Sequence, residues 1–280
     1  MQLAVGSSPQ ASRRKGLTSA NYRLLLTAYL FVAASCASKP PTLPTGTGVP
    51  YPEFRAAYDK ATESCRGVKT ITASMGMSGK AGSMKLRGRI DAGFAAPDRA
   101  RLEGVPPFGR KVFILVAQDG KGTLVLPRDE RVLRDAPPDQ IVERHAGERL
   151  DNLIRTAISG CGFGAPPSDG RSYPNGWVAA VSGDTTTYLR PRGEAWEVAA
   201  AARGPVTIVY SDYQSGRPTA IRLRSVTDGH VTADITLTLS DVDINTTLEP
   251  RVFDIGPDLP ERPVPLTLEE LRRAGPLGGS

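Results

Sequence analysis

Short runs in which apolar and polar residues alternate recur along most of this chain, and they constrain its fold more than any other feature. In the clearest run, 230–239, Val231, Ala233 and each second residue after them are apolar, and the residues between them are polar. Alternation with a period of two predicts a β-strand with one buried and one solvated face. Clusters of Gly, Pro and Asp, such as the expected turn at 79–82, separate the runs, which predicts an antiparallel sandwich or barrel.

The predicted strands form two groups on either side of a helical centre. They are 70–77, 84–92, 99–105, 111–117 and 122–126 in the first group, and 176–182, 185–190, 195–200, 205–213, 219–225 and 230–239 in the second. Apolar residues at intervals of three and four predict helices over 53–65, 138–145 and 151–158. We therefore expect one mainly β domain with helices.

Residues 1–35 have the pattern of a secretory signal peptide. Arg13, Arg14 and Lys15 precede an apolar run at 24–35, and no acidic residue occurs before Cys36. An apolar run of about a dozen residues is too short to span a bilayer, which takes roughly 20. Small residues lead up to Cys36, and the segment resembles the lipobox of bacterial lipoproteins, in which this cysteine becomes the lipidated first residue of the mature chain. A generic secretory signal with an incidental cysteine is the alternative interpretation.

Most of the net positive charge belongs to this signal peptide. The whole chain has 35 Lys and Arg and 29 Asp and Glu, and removing the four basic residues of 1–35 leaves 31 cations and a net charge of about +2. Binding to nucleic acid depends on concentrated Lys and Arg, so we expect no nucleic-acid partner. The next segment, 36–50, is rich in Pro, Thr and Gly, which predicts an extended tether.

Two cysteines, Cys65 and Cys161, remain in the mature chain after Cys36. Disulfides persist in the oxidising compartments that exported proteins reach, so we predict a structural disulfide between them. A reactive thiol or a pair of metal ligands is the alternative.

The sequence contains no convincing catalytic or metal-binding constellation. His145 and His230 have no companion at the spacing of metal ligands, and no Gly-x-Ser-x-Gly nucleophile motif occurs. Residues 241–252 do not form a calcium-binding loop, because Thr246 and Val252 stand where that loop needs Gly and Glu. We therefore expect no enzymatic activity, no metal and no cofactor other than a covalent diacylglycerol anchor on Cys36.

Five short segments carry motifs in a fixed order along the chain. They are a strand with a Pro-apolar-Gly loop at 101–109, a Gly-x-x-Leu-x-x-Leu segment at 147–160, and three closing segments at 209–213, 217–223 and 244–253. Together they resemble the LolA and LolB family of lipoprotein carriers, over about 51–255. The resemblance implies an incomplete antiparallel β-barrel that wraps a helical lid, with a concave interior that holds the acyl chains of a lipoprotein in transit.

The resemblance also implies site residues. The candidates for an acyl-binding lining are Ile90, Leu102, Phe113, Leu115, Leu124, Leu126, Ile154, Trp177, Trp196, Ile208, Ile221 and Leu237. A closed, filled core of the same residues is the alternative, because lining and core share one alternation. Phe108, in a Pro-Pro-Phe-Gly turn, matches the family's loop whose exposed apolar residue helps to move lipoprotein into the membrane. A Phe108 side chain folded back onto the core is the alternative.

The implied function is that of a monomeric, lipid-anchored receptor or chaperone for lipoproteins at the periplasmic face of the outer membrane. Its partners would be acyl chains or lipids and a LolA-like periplasmic carrier. A regulatory or structural envelope protein on the same scaffold, similar to the stress sensor RseB, is the alternative, and an envelope hydrolase is disfavoured by the missing nucleophile. Residues 256–280, a Pro-rich tail with a short helix beginning near Thr267, are an addition to the family pattern.

Overall fold

The structure is a computed structural model that describes residues 41–141, 155–164 and 166–273. Cys36, His145 and the predicted lining residue Ile154 lie outside these ranges. Within the described ranges, no helix combines the length and the apolar character needed to cross a membrane.

The described chain is built mainly from strands. The strands are β1 (Val49–Pro50), β2 (Thr70–Ala81), β3 (Met84–Ala95), β4 (Arg99–Val105), β5 (Phe113–Gln118), β6 (Lys121–Leu126), β7 (Arg131–Ala136), β8 (Asp169–Ser172), β9 (Val178–Ser182), β10 (Thr185–Arg192), β11 (Ala195–Arg203), β12 (Val206–Gln214), β13 (Arg217–Thr227), β14 (His230–Ile244) and β15 (Val264–Pro265). The helices are α1 (Phe54–Ala61), α2 (Glu63–Arg66), α3 (Pro138–Ile141) and α4 (Leu268–Arg273). Residues 155–158 are also helical.

All 15 strands belong to one sheet, which consists of two antiparallel meanders. One meander runs from β2 to β7 and the other from β8 to β14, and the pairing of β14 with β2 joins them. The edge strands are β1, which pairs with β8, and β15, which pairs in parallel with β7. The sheet is therefore open, and the predicted fold class is confirmed as a mainly β fold with an incomplete antiparallel barrel and helices.

The sheet curves around one buried apolar cluster on its inner face. Leu115 on β5 and Val198 on β11 come from different meanders, yet they belong to the same cluster. Tyr58 of α1 and Ile158 and Phe163 of the segment 155–164 complete it, so α1 and this segment fill the centre of the curved sheet. Burial of such apolar surface contributes about 25 cal/mol per Å² and is the main stabilising term for the fold.

The C-terminal segment covers part of the outer face of the sheet. Ile114 and Val116 of β5 lie on the face opposite the inner cluster, but they are buried because Phe253 and its neighbours pack on them. Arg101 on β4 forms an ion pair with Asp258 at 2.5 Å, which holds the same segment against the sheet. Strand β5 is therefore buried on both faces, unlike strands β13 and β14.

The chain then returns to the edge of the sheet and ends its described part in α4. Leu266 and Leu271 join the inner cluster. Thr267 begins the helix with a capping box: the Glu270 amide donates to Thr267 Oγ1 at 3.2 Å, and the Thr267 amide donates to the Glu270 carboxylate at 2.9 Å. The Thr267 hydroxyl also donates to Glu270 Oε2 at 2.9 Å, and the two bonds that the carboxylate accepts from Thr267, together with the Arg131 guanidinium, lower the pKa of Glu270 to about 2.

The structure differs from the sequence prediction at 79–82, which has the composition of a turn. Strands β2 and β3 continue to Ala81 and Met84, so the turn is confined to two residues. Gly79 serves the sheet instead, because a Cβ atom at this position would collide with the Asp234 carbonyl oxygen of β14. The glycine marks a close approach of two strand backbones rather than a turn.

Candidate functional site

One end of the sheet brings together the β2–β3 turn, the β4–β5 loop and the β13–β14 turn, and we call it the hairpin end. The pairing register defines it: Ala81 is opposite both Met84 and Ala233, and Gly82 N donates to the Thr232 carbonyl oxygen at 2.7 Å. Val105, the last residue of β4, is opposite Arg89 of β3, so the loop that follows β4 lies at the same end.

The inner face at the hairpin end is apolar and only partly covered. Its side chains form rows across neighbouring strands, one with Ile221, Leu237, Met77 and Gly88 and the next with Leu223, Ile235, Gly79 and Leu86. Exposure rises along β2 in this direction: Met75 is 4 % exposed, whereas Met77 is only half-buried. We call the half-buried apolar residues of this region the inner patch: Met77, Met84, Leu86, Leu223, Ile235 and Leu237.

Two of the four methionines of the chain lie in the inner patch, and a third, Met75, lies next to it on β2. Of the four methionines in the sequence, Met75, Met77 and Met84 lie on β2 and β3. Methionine is unbranched and polarisable, so it adapts its shape to flexible apolar ligands. Each side chain of the inner patch is apolar, and none of them can act as a general acid, a general base or a metal-binding carboxylate. The patch can therefore hold hydrocarbon, and it offers no group for acid–base chemistry.

The predicted lining residues occupy different positions. Within the buried inner cluster, each at most 9 % exposed, are Leu102, Phe113, Leu115, Leu124, Ile208 and Ile221. Half-buried against that cluster are Ile90, Leu126, Trp196 and Leu237. Trp177 lies immediately before β9 and is half-buried. The structure thus places Leu237 in the inner patch and Ile90 beside Met75, whereas the fully buried group belongs to the packed core.

Sequence reasoning did not select Met77, Met84, Leu86, Leu223 or Ile235. Their alternation was visible, but alternation does not distinguish a covered inner face from an uncovered one. The grouping of methionines in two adjacent strands was the one signal that pointed to this region.

Phe108 lies at the hairpin end, in the loop between β4 and β5. Its side chain is 91 % exposed, more than Val49, Val231 or Val264, the other exposed large apolar residues of the described chain. The side chain therefore points into solvent and not onto the core. An exposed aromatic ring forgoes about 1.5–3 kcal/mol that burial would supply, so a surface that covers it is favoured.

Cys65 and Cys161 form a disulfide in the structure, with Cα atoms 6.4 Å apart and a sequence separation of 96. The bond links α2 to the segment 155–164. Cys161 is buried, and Cys65 is half-buried.

Replacing Cys65 and Cys161 together by serine is expected to lower the free energy of unfolding by about 3–4 kcal/mol, because the bond restricts a long loop in the unfolded chain. Urea denaturation of the double variant and of the wild-type chain measures the difference. Removing both cysteines avoids a leftover thiol. Equal stability of the two proteins, or two alkylatable thiols in the unreduced wild-type chain, would contradict the cross-link.

Comparison with known proteins identified structures with a similar fold but no protein with a similar sequence. No protein-family profile and no curated protein matches the chain. A DUF1329 family protein from Desulfovibrio piger is similar in structure over 73% of this chain and 98% of its own, with 13% identity and a TM-score of 0.51. A LolA superfamily protein from Nitrosomonas europaea is similar over 75% of this chain and 98% of its own, with 12% identity and a TM-score of 0.50.

These similarities concern the fold, which the chain shares with both structures. The fold is an open antiparallel β-barrel with helices, as in the LolA superfamily structure, and part of its apolar inner face is only half-buried.

Proposed function

We propose that this chain is a lipid-anchored, non-enzymatic protein of the bacterial cell envelope that binds the acyl chains of lipids or lipoproteins on the inner patch. The observation that carries the proposal is the inner patch, a contiguous apolar surface left half-buried at the open hairpin end. Transfer of hydrocarbon from water to such a surface is favourable by about 0.8 kcal/mol for each CH₂. An acyl chain therefore supplies enough apolar contact without any charged partner.

The position of Phe108 supports a role at a membrane. The ring is 91 % exposed at the same end of the sheet as the inner patch, so a bilayer that receives the ring also lies near the bound acyl chain. The predicted anchor on Cys36 and the tether 36–50 would hold the domain close to that bilayer. We infer a monomeric receptor or chaperone that accepts lipoprotein from a LolA-like periplasmic carrier and passes it to the outer membrane.

Native mass spectrometry tests the binding. The full chain, produced in a Gram-negative host and extracted in a mild detergent, is expected to carry a covalent acyl mass on Cys36 and a further noncovalent lipid. After removal of that lipid, it is expected to take up a fluorescent diacylglyceryl-cysteine peptide. Absence of bound lipid together with no uptake of the peptide would refute the proposal.

A further inference from the structure

Cations surround the Phe108 loop on both sides. On one side, Arg128 Nη2 donates to the Arg110 carbonyl oxygen at 3.4 Å and lies against Gly109, the residue after Phe108. On the other side, Arg87 and Arg89 of β3 share a groove of about 480 Å³ with Pro106 and Pro107, the two residues before Phe108. Arginines therefore lie next to the loop residues on either side of Phe108 in the sequence.

Further cations lie on the outer face of the β2–β3 hairpin, closer to the hairpin end. Lys80 and Lys85 are opposite each other in the register, and Ser78 is opposite Arg87 in the next row. All three cations are exposed, as are Arg110 and Arg128. We call the set of Lys80, Lys85, Arg87, Arg110 and Arg128 the basic rim.

Ion pairs within the described ranges do not neutralise the cations of the basic rim. Arg89 is paired with Asp91, and Lys111 is paired with Glu103. By contrast, no residue of the basic rim has an ion pair with another residue of the described ranges. Asp234 of β14 is opposite Lys80 in the register, but its carboxylate is paired with Arg222, and Asp91 is paired with Arg89. Like charges held side by side, as in the Lys80–Lys85 pair, are unfavourable in the free protein unless an anion lies over them.

We propose that the basic rim and Phe108 together form a docking surface for bilayers that contain anionic phospholipids. This inference rests on the proposed function insofar as that function places Phe108 at a membrane. Phe108 enters the apolar layer, and the cations of the basic rim contact the headgroup phosphates above it. The occupant is a lipid surface because one exposed aromatic ring, with unpaired cations beside its loop, matches an apolar layer bordered by phosphates.

The groove beside the loop fits this assignment. Ser78, Arg87 and Thr238 are among the residues that line it. Hydroxyl and guanidinium donors are the groups that bind phosphate oxygens. A headgroup can therefore enter beside the loop while its acyl chains stay in the bilayer.

Vesicle co-sedimentation tests the docking surface. The full chain with Cys36→Ala, which removes the acylation site, is mixed with vesicles of phosphatidylcholine alone or of phosphatidylcholine with phosphatidylglycerol. Each Lys or Arg near an anionic surface contributes about fivefold to binding, so Lys85→Gln with Arg87→Gln should weaken binding to phosphatidylglycerol vesicles by roughly 25-fold. Binding to phosphatidylcholine vesicles should stay unchanged.

The matched control is Lys69→Gln with Arg217→Gln, which removes two exposed cations at the opposite end of β2 and β13. This control should bind both kinds of vesicle like the parent chain. Equal binding of the rim variant and the control to phosphatidylglycerol vesicles would overturn the docking surface, as would an equal loss on neutral vesicles. Uptake of the diacyl peptide in solution is measured without vesicles, so failure of the docking surface is distinct from failure of acyl binding.

Discussion

Replacing Ile235 by aspartate is expected to abolish binding of the diacylglyceryl-cysteine peptide, with an affinity loss of at least about 100-fold. Ile235 lies in the centre of the inner patch, between Leu223 on β13 and Gly79 on β2. A bound acyl chain would displace the hydration shell of a carboxylate at this position, and burial of an unpaired charge is unfavourable by several kcal/mol. The carboxylate would therefore exclude the acyl chain. Fluorescence titration of the lipid-free full chain with the labelled peptide measures the loss.

Thr236→Asp is the matched control for this variant. Thr236 is the next residue of the same strand, is also half-buried, and lies on the outer face opposite Arg222 and Ser78. Both variants place an aspartate in the middle of β14, so they share any effect on strand stability, and thermal unfolding checks this. Thr236→Asp should bind the peptide like the wild-type chain. If Ile235→Asp is folded and binds equally well, the inner patch is not the binding surface.

Phe108→Glu is expected to slow the transfer of the bound diacyl peptide to phosphatidylcholine vesicles by at least about tenfold. Insertion of the ring into the apolar layer stabilises contact with the bilayer by about 1.5–3 kcal/mol, which corresponds to roughly 10- to 100-fold, and a carboxylate removes this contribution. Dequenching of the labelled peptide on transfer provides the rate. Phe108→Leu keeps an apolar side chain of similar reach and should retain most of the transfer activity.

Two further measurements separate this role from effects on the fold. Phe108 is 91 % exposed, so neither variant should change the unfolding temperature. The loop does not belong to the inner patch, so uptake of the peptide in solution should also be unchanged. Transfer by Phe108→Glu at the wild-type rate would show that the loop does not act at the membrane.

Several elements were predictable because their signals are local. The run 230–239 alternates strictly, and it lies within β14 with Leu239 buried and Ser240 exposed. Thr267 and Glu270 form the capping box that begins α4, and both residues are visible in the sequence as a helix start. In each case, the residue types that decide the conformation are neighbours in the chain.

Other features depend on contacts between distant residues. Gly79 belongs to the segment 79–82, which has the composition of a turn. In the structure the backbone of β14 lies against Gly79, which is part of strand β2. Ile114 and Val116 follow Phe113 without alternation, and only the packing of Phe253 on the outer face accounts for their burial. The pairing of β14 with β2, which joins the two meanders, links segments more than 150 residues apart in sequence and has no local signature.

The sequence by itself determined which residues alternate, where helices begin, and that Phe108 stands in a Pro- and Gly-bounded loop, because these properties depend on near neighbours. The prediction of a lipid anchor on Cys36 also comes from the sequence alone. The tertiary structure alone decided that the centre of the curved sheet is filled, that the inner patch at the hairpin end stays half-buried, and that the basic rim lies beside the Phe108 loop. The physical reason is that burial depends on what packs above a face, and alternation specifies only which residues share that face.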